Sequence, residues 1–408
     1  MNKVWSGLLL ISLATGCARF FFYDDSGVFA RMIDSLFTMA RTGFEISLGL
    51  TGVLALWLGI LKIGERAGAV TFLTGVLRPL FDRLMPGVPA NHPALGAMTM
   101  NLAANVLGLD NAATPLGIQA MRELQKLNPS PDTLSDAQIL FLVINTSAVT
   151  LIPVAVFTYR AQLGAADPTD VFLPILMATY CSTLAGLLAV AAAQRLRLWD
   201  PVILAYLLGL GGIIAGLAWS LAGLPQETMQ ARSGLISQGL ILGLIAAFLL
   251  AAWGRKINAY ECFLEGAKEG FQTAVTIIPY LIAMLVAVGL LRASGILDLV
   301  LNELRDILIA LSLDTRFLDA LPTALMKPFS GSGARAMMID AMRTHGVDSL
   351  AGRMAAIMQG STETTFYVLA VYCGAVGIRR IRHALACGLV ADIAGLTAAV
   401  FIGYWFFG

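Results

Sequence analysis

The sequence contains the stretch Lys327-Pro328-Phe329-Ser330-Gly331-Ser332-Gly333-Ala334-Arg335 and, in its first half, the stretch Gly108-Leu109-Asp110-Asn111-Ala112-Ala113-Thr114-Pro115. Both are short and polar, contain Gly or Pro, and lie in sequence that is otherwise almost entirely apolar. Lipid offers no hydrogen-bond partner to open backbone, so such segments are tolerated at membrane depth only inside protein or beside a water-filled cavity. We therefore predict that they form the tips of two re-entrant helical hairpins.

The composition is that of an integral membrane protein. Of the 408 residues, 58% are hydrophobic and 13% are charged, whereas about one quarter of an average soluble domain is charged. The net charge of +1 gives no basic surface for nucleic acid, so the expected partner is the lipid bilayer. The five Cys and three His are scattered along the chain, and we predict no metal site, disulfide framework or resident cofactor.

Apolar runs long enough to cross a bilayer define the predicted spans, since a spanning helix needs about 20 such residues. Nine runs qualify, at residues 4–22, 43–61, 138–159, 171–194, 201–224, 233–253, 270–291, 353–378 and 383–407. The apolar stretches 93–121 and 317–343 are interrupted by the polar tips and are the predicted hairpins. Stretches 28–42, 66–84 and 257–269 are amphipathic and too charged for spans, so we predict interfacial helices there. The predicted fold is all-α.

The Lys and Arg residues of the loops predict the orientation, because cytoplasmic loops are enriched in them. With the N-terminus in the cytoplasm, the inner loops hold most of these residues, including Arg78, Arg83 and the run 379–382. This count works only if neither hairpin crosses the membrane, which agrees with the prediction that both are re-entrant.

An internal repeat is visible at slowly falling offsets. Gly43-Phe44-Glu45 matches Gly270-Phe271-Gln272 at an offset of 227, and Val154-Ala155-Val156-Phe157 matches Leu369-Ala370-Val371-Tyr372 at 215. The copies begin in the second and seventh predicted spans, so they have opposite orientations, as in secondary transporters. The predicted units are residues 1–42 (first span and interfacial helix), 43–194 (first repeat), 195–256 (two linking spans) and 257–408 (second, inverted repeat).

A polar interruption follows each hairpin. In the first repeat it contains Asn145, Thr146 and Ser147, and in the second it is the run 360–365, which encloses Glu363. At the 215 offset, Thr146 aligns with Ser361. Small hydroxyl residues often serve only helix packing, but a run of six around an acid favours a cavity-lining role. Exposed N–H groups at such breaks suit anionic atoms, and unwound carbonyls suit a cation such as Na⁺.

Charged side chains at membrane depth are costly and are therefore functional candidates. Glu363 can carry a coupling proton or bind a substrate hydroxyl or amine. Asp392 can carry a coupling proton or be a structural carboxyl, and the sequence leaves both open. Lys327 with Arg335 can hold an anionic group, although Arg335 can instead pair with Asp340 within the hairpin.

Several motifs resemble one family. The first half contains Asn101-Leu102-Ala103-Ala104-Asn105 and Glu123-Leu124-Gln125, and the second contains Pro322-Thr323-Ala324-Leu325-Met326 directly before the second tip. With the two tips and residues 359–367, these motifs make the chain resemble spore maturation proteins A and B joined into one polypeptide. Those proteins belong to the nucleoside-recognition, or Gate-domain, superfamily, which is similar to the membrane parts of concentrative nucleoside transporters.

The resemblance implies a transporter-like protein of the bacterial inner membrane whose ligand is held by the hairpin tips and the helices after them. Together, residues and resemblance give two sets of candidates. The candidates for substrate binding are Asp110, Asn111, Thr114, Asn145, Thr146, Lys327, Ser330, Ser332, Ser361, Thr362 and Glu363. The candidates for ion coupling are Glu363, Asp392 and Asn105. At a helix start, Asp110 and Asn111 can alternatively be simple N-caps.

Two functions of different kinds remain open. The first is a secondary transporter that moves a small polar metabolite, nucleoside-like by family, coupled to Na⁺ or H⁺. The second is a non-transporting receptor or scaffold for envelope or spore maturation. No Ser, His and Asp grouping supports hydrolysis, so no catalytic residues are predicted. By analogy with transporters, a homo-oligomer is expected.

Overall fold

A computed structural model describes residues 2–89, 92–107, 110–147 and 149–408, with only the backbone for 2–4 and 110–112. The described chain is helical apart from turns, loops and one isolated bridge between Thr133 and Arg380. The α-helices are α1 Asn2–Phe22, α2 Val28–Arg66, α3 Ala69–Leu84, α4 Pro93–Val106, α5 Asp110–Lys126, α6 Asp136–Thr146, α7 Val154–Gln162, α8 Phe172–Gln194, α9 Pro201–Leu221, α10 Gln226–Gly254, α11 Ala259–Ala293, α12 Ile296–Ala310, α13 Leu321–Met326, α14 Gly331–His345, α15 Leu350–Gly360, α16 Thr365–Gly374 and α17 Ala384–Phe407.

Seven of the described helices are long and apolar enough to cross a membrane, namely α1, α2, α8, α9, α10, α11 and α17. The predicted all-α integral membrane class is confirmed. The predicted spans 138–159 and 353–378 are each divided into two short helices, α6 with α7 and α15 with α16. The total number of membrane crossings stays a prediction.

Two predicted interfacial helices are not separate elements. Residues 28–42 continue into the following span as α2, and residues 257–269 belong almost entirely to α11. The charges that suggested separate helices are accommodated on these helices, as in the exposed pair between Arg41 and Glu45 at 2.7 Å. Only α3, within the predicted interfacial stretch 66–84, is a separate helix. The short helix α12 lies in a segment for which the sequence analysis predicted no helix.

Helices α2 and α11 pack antiparallel through glycines. A Cβ on Gly43 would lie 2.9 Å from Ile282, and a Cβ on Gly270 would lie 2.7 Å from the backbone of Ala55. At the 227 offset, Gly270 corresponds to Gly43 and Ile282 to Ala55, so each helix makes the same contact with the other. This exchange is the contact expected of an inverted repeat. The boundaries of the repeats stay a prediction.

Each hairpin forms a backbone hydrogen bond with the chain just after the polar interruption of its own repeat. The N–H of Leu151 donates to the carbonyl of Val106 at 2.8 Å, and the N–H of Phe366 donates to the carbonyl of Pro328 at 3.0 Å. Leu151 and Phe366 are related by the 215 offset. These bonds satisfy backbone groups that the helix breaks would otherwise leave open.

The hairpin arms are shorter than a membrane crossing. α4 and α5 have 14 and 17 residues, and α13 has 6, compared with the roughly 20 that a span requires. Both tips are also narrower than the polar stretches. α5 already begins at Asp110 and α14 at Gly331, where Ser330 accepts a bond from the N–H of Gly333 at 2.9 Å as the N-cap.

A buried ion network joins the two halves at one end. Arg160 of α7 is fully buried and contacts Asp170 at 2.8 Å and Asp348 at 3.0 Å. Arg353 of α15 contacts Asp170 at 2.7 Å. Because buried charges require partners, this network ties the loop after α7 to the loop before α15.

Candidate functional site

The centre of the protein is the place where the two helix breaks meet. Helix α6 ends at Thr146 and α15 ends at Gly360. The hydroxyls of Thr146 and Ser361 bond back to the carbonyls of Val143 and Met358, both at 2.9 Å, which competes with helical bonding. We define the first break as Thr146, the last residue of α6, together with residues 147 and 149–153, and the second break as residues 361–364.

The two breaks are directly bonded to each other. The N–H of Glu363 donates to the carbonyl of Thr146 at 2.7 Å, and the hydroxyl of Thr362 lies 2.9 Å from the same carbonyl. The Thr362 oxygen also lies 2.5 Å from Oδ1 of Asp392 in α17. Four predicted site residues therefore meet at this crossing, namely Thr146, Thr362, Glu363 and Asp392, and all but Glu363 are buried.

A cavity of about 420 Å³ lies beside this crossing. It is lined by parts of both hairpins, both broken helices and α11. The predicted site residues that line it are Asn105, Thr114, Asn145, Ser330, Ser332 and Glu363. These residues come from segments far apart in sequence, so the fold brings together polar groups that the sequence analysis could group only through the repeat.

A second cavity of about 130 Å³ adjoins the first. Lys327 lines it together with Gln359 and Thr150. Five residues line both cavities: Asn105, Gly331, Arg335, Glu363 and Thr364. This shared set forms the wall between two spaces, and it contains one acid and one base.

The remaining predicted residues do not face either cavity or are not described. Thr146, Ser361, Thr362 and Asp392 are buried at the crossing. The side chains of Asp110 and Asn111 lie outside the described residues. The assignments of substrate-binding and ion-coupling roles all stay predictions.

Amide side chains bind the first hairpin to α6. Asn105 donates to Oδ1 of Asn145 at 2.8 Å, and Asn145 donates to the carbonyl of Phe141 at 3.2 Å. Asn101 donates to the carbonyl of Ala113 at 2.7 Å, which joins the two arms of the hairpin. The unusual Asn residues of this region therefore support the hairpin as well as line the cavity.

The alternative pairing of Arg335 with Asp340 is wrong. Asp340 accepts bonds from Arg292 of α11, with distances of 3.0 and 3.1 Å from Nε. Residues five apart on a helix point to different faces, so Asp340 meets α11 while Arg335 faces the cavities. The Nε of Arg335 donates to the carbonyl of Gly331 at 3.3 Å.

The sequence analysis did not identify the aromatic lining. Tyr159, Tyr280, Phe329, Tyr367 and Tyr372 all line the large cavity. The ring of Phe329 stacks on Phe366 with centroids 4.9 Å apart. In an apolar membrane sequence an aromatic residue gives little signal by itself, although Phe329 lies inside the second polar tip and Tyr367 follows the second break.

Among the residues the structure describes, no group of three or more His, Cys, Asp or Glu is arranged to hold a metal ion. The charged groups near the crossing are instead spread out: Lys327 is 3% exposed, Asp392 is 1% exposed, and Glu363 is open to the cavities.

These features define a multi-pass membrane protein in which two hairpins and two broken helices surround a cavity whose lining includes polar side chains from both halves. The chain belongs to the Gate family, described as nucleoside recognition, whose family model matches residues 47–163 and 274–379. The two matched segments fall within the two predicted repeats.

Two relatives from Bacillus subtilis extend this assignment. Spore maturation protein B is 43% identical over 173 residues, which are 42% of this chain and 96% of that protein. Spore maturation protein A is 37% identical over 188 residues, which are 46% of this chain and 92% of that protein. The predicted resemblance to both proteins is confirmed. No solved structure matches the chain significantly.

Proposed function

We propose that this protein is a secondary transporter of the bacterial cytoplasmic membrane, with its N-terminus in the cytoplasm. It moves a small polar metabolite, nucleoside-like by family description, coupled to Na⁺ or H⁺. The proposal assigns no catalytic step to the protein.

The observation that carries the proposal is that both repeats contribute polar side chains to one cavity. Thr114 and Asn145 from the first repeat and Ser332 and Glu363 from the second line the same space. Irregular backbone and polar side chains are costly at membrane depth. A ligand that passes through this space would make use of them, and in inverted-repeat transporters the ligand binds between the repeats.

The charges at the shared wall favour a polar ligand. Arg335 and Glu363 line both cavities, yet no ion pair within 4.0 Å joins them or links either to another described residue. Two opposite charges in an apolar setting that remain apart leave room for a molecule with donors and acceptors between them. Aromatic rings such as Phe329 and Tyr367 offer flat apolar surface to the same ligand.

Uptake into proteoliposomes tests the proposal. Purified protein is reconstituted, an inward Na⁺ or H⁺ gradient is imposed, and the accumulation of labelled nucleosides and other small polar metabolites is measured. We expect gradient-dependent uptake that Glu363→Gln abolishes. The matched control is Glu303→Gln on α12, which removes a carboxylate that lines neither cavity and should leave uptake unchanged. Equal loss in both variants would contradict a role for the cavity.

A second function is favoured by the names of the relatives, which refer to spore maturation. In this alternative the protein is a receptor or scaffold for envelope or spore maturation that binds a ligand in the same cavity without moving it. Ligand-dependent thermal stabilisation, together with a complete screen in which no gradient drives uptake, would favour this alternative.

A further inference from the structure

Asp392 lies at a closely packed position in the middle of α17. Gly388 and Gly395 flank it on the same face, four residues before and three residues after. A Cβ at Gly388 would lie 2.8 Å from Thr365, and one at Gly395 would lie 2.8 Å from Ser182 and 3.1 Å from the carbonyl of Ser361. The second break and α8 therefore pack directly against α17, and Asp392 is 1% exposed between them.

The hydrogen bonds around this carboxyl do not satisfy an ionised group. Oδ1 lies 2.5 Å from the hydroxyl oxygen of Thr362, but Oδ2 has no hydrogen-bond partner among the described residues. Thr365 approaches the carboxyl, yet its hydroxyl does not meet hydrogen-bond geometry and is also without a described partner. An ionised carboxylate accepts several bonds, and burying it with one oxygen unbonded is costly.

The architecture itself does not need an acid here. In the first repeat, α8 is joined to its break by a neutral residue, because the hydroxyl of Thr183 donates to the carbonyl of Ser147. A hydroxyl is therefore enough to bond a long helix to a break. Bonding a long helix to a break therefore does not explain why the second repeat has a carboxyl at Asp392.

We propose that Asp392 is an occluded proton-binding site whose protonation changes the bonding between the two breaks. The step is the addition of one proton to the carboxylate, which gives the neutral acid. The charged groups that face Asp392 are Lys327 of the second hairpin and Glu363 of the second break. The other elements packed against Asp392 contribute hydroxyls and small residues. One of them is Ser182 of α8, whose hydroxyl donates to the carbonyl of Ala391.

The coupling follows from the single hydrogen of Thr362. When Asp392 is ionised, this hydrogen is donated to Oδ1, and the carbonyl of Thr146 keeps only the N–H of Glu363. When Asp392 is neutral, its own O–H donates to Thr362, whose hydrogen is then free to bond to Thr146 at 2.9 Å. Protonation therefore adds a bond across the crossing of the two repeats. The inference that this proton is the coupling ion rests on the proposed function. The existence of the proton site does not.

Infrared spectroscopy of purified protein tests the site without any transported substrate. The carbonyl band of a protonated carboxyl is followed as the buffer is changed from acidic to alkaline. At neutral pH, where carboxyls with ordinary pKa values are ionised, we expect a band in the wild type that is lost at alkaline pH and is missing in Asp392→Asn. The matched control, Asp340→Asn, removes a carboxyl that is paired with Arg292 and should keep the band. An unchanged band in Asp392→Asn would overturn the proposal.

A second variant covers the case in which Asp392→Asn does not fold, which size-exclusion chromatography detects. Thr362→Val keeps the carboxyl and removes its hydrogen-bond partner, so the band should persist at a shifted frequency. A band at the wild-type frequency would overturn the proposal.

Transport distinguishes this inference from the proposed function. In proteoliposomes, Asp392→Asn should lose accumulation driven by a pH gradient and keep exchange of labelled for unlabelled ligand. Full accumulation in Asp392→Asn would refute coupling through this residue while leaving the transporter proposal intact. Absence of all transport in the wild type would refute the transporter proposal, and the infrared result would still decide the proton site.

Discussion

Glu363 and Thr146 are joined by a backbone hydrogen bond of 2.7 Å in which the N–H of Glu363 is the donor. The two residues belong to the breaks of different repeats, so this bond links the halves at the centre of the protein. The side chain of Glu363 extends from the same point into both cavities. A change in how the repeats meet would therefore directly move the residue that lines both cavities.

The glycines between α2 and α11 should be required for close packing. Gly270→Ala places a Cβ 2.7 Å from the carbonyl of Leu54 and from Ala55, and backbone cannot yield as a side chain does. We expect a loss of about 1–3 kcal/mol in the free energy of unfolding, measured by denaturant titration in detergent. Gly52→Ala is the control, since nothing lies within 4 Å of its Cβ, and it should be neutral or slightly stabilising. Equal effects would contradict the close approach.

The buried ion network should be far more sensitive than an exposed ion pair. Arg160→Met leaves Asp170 and Asp348 without their fully buried partner, and breaking such a network costs about 3 kcal/mol or more. Arg66→Ala removes a pair with Glu265 whose side chains are 54% and 44% exposed, and such pairs contribute about 0–1 kcal/mol. Denaturant titration of both variants measures the difference. A loss in Arg160→Met no larger than that in Arg66→Ala would count against a structural role for the network.

The loop before α13 should contribute less to the stability of the protein at acidic pH. Asp314 is held ionised by Arg316 at 2.8 Å and by the hydroxyl of Tyr404 at 3.0 Å, and the hydrogen bonds to Arg316 lower its pKa from 3.8 to about 2. Because the folded pKa lies below the unfolded one, this stabilisation is complete above the ordinary value and is lost as the pH falls towards 2.

The corresponding measurement is the unfolding midpoint of the wild type and of Asp314→Asn across that acidic range. The wild type should lose more stability than the variant as the pH falls. Parallel curves would mean that the interactions of Asp314 with Arg316 and Tyr404 do not persist in solution.

Cysteine labelling should distinguish residues that line the cavities from those buried at the crossing. In a background where the exposed Cys17 and Cys181 are replaced by Ser, Ser332→Cys should react with a small water-soluble thiol reagent. Ser361→Cys, which is fully buried, should not react in the native state. Mass spectrometry measures the modified fraction, and labelling of both positions alike would contradict the described cavity.

The helices and their breaks could be predicted from sequence because local chemistry controls them. Long apolar runs predict spans, and a run such as 360–365 predicts a break, since hydroxyl side chains compete with helical hydrogen bonds and Gly has a low helix propensity. The separate interfacial helix predicted at 28–42 was wrong because its continuation into α2 is stabilised by packing against a partner far along the chain. Local charge density contains no information about that contact.

The site could be predicted only in part for a similar reason. Residues such as Ser332 and Glu363 stand out because they are polar in apolar sequence. Arg335 was left between two roles because which face of α14 meets α11 depends on the tertiary fold. The close packing around Asp392 depends on Gly388 and Gly395, and their importance is visible only when the second break, α16 and α8 are packed against them.

The bonds from Leu151 to Val106 and from Phe366 to Pro328 also constrain how the molecule can move. Each hairpin is bonded to the broken helix of its own half. The halves meet through closely packed glycines, the bonds at the crossing and the buried ion network of Arg160. A displacement that carries Pro328 must therefore carry Phe366 and the start of α16 with it. In a rocking motion we therefore expect each hairpin to move together with the broken helix of its own half, rather than as a separate flap.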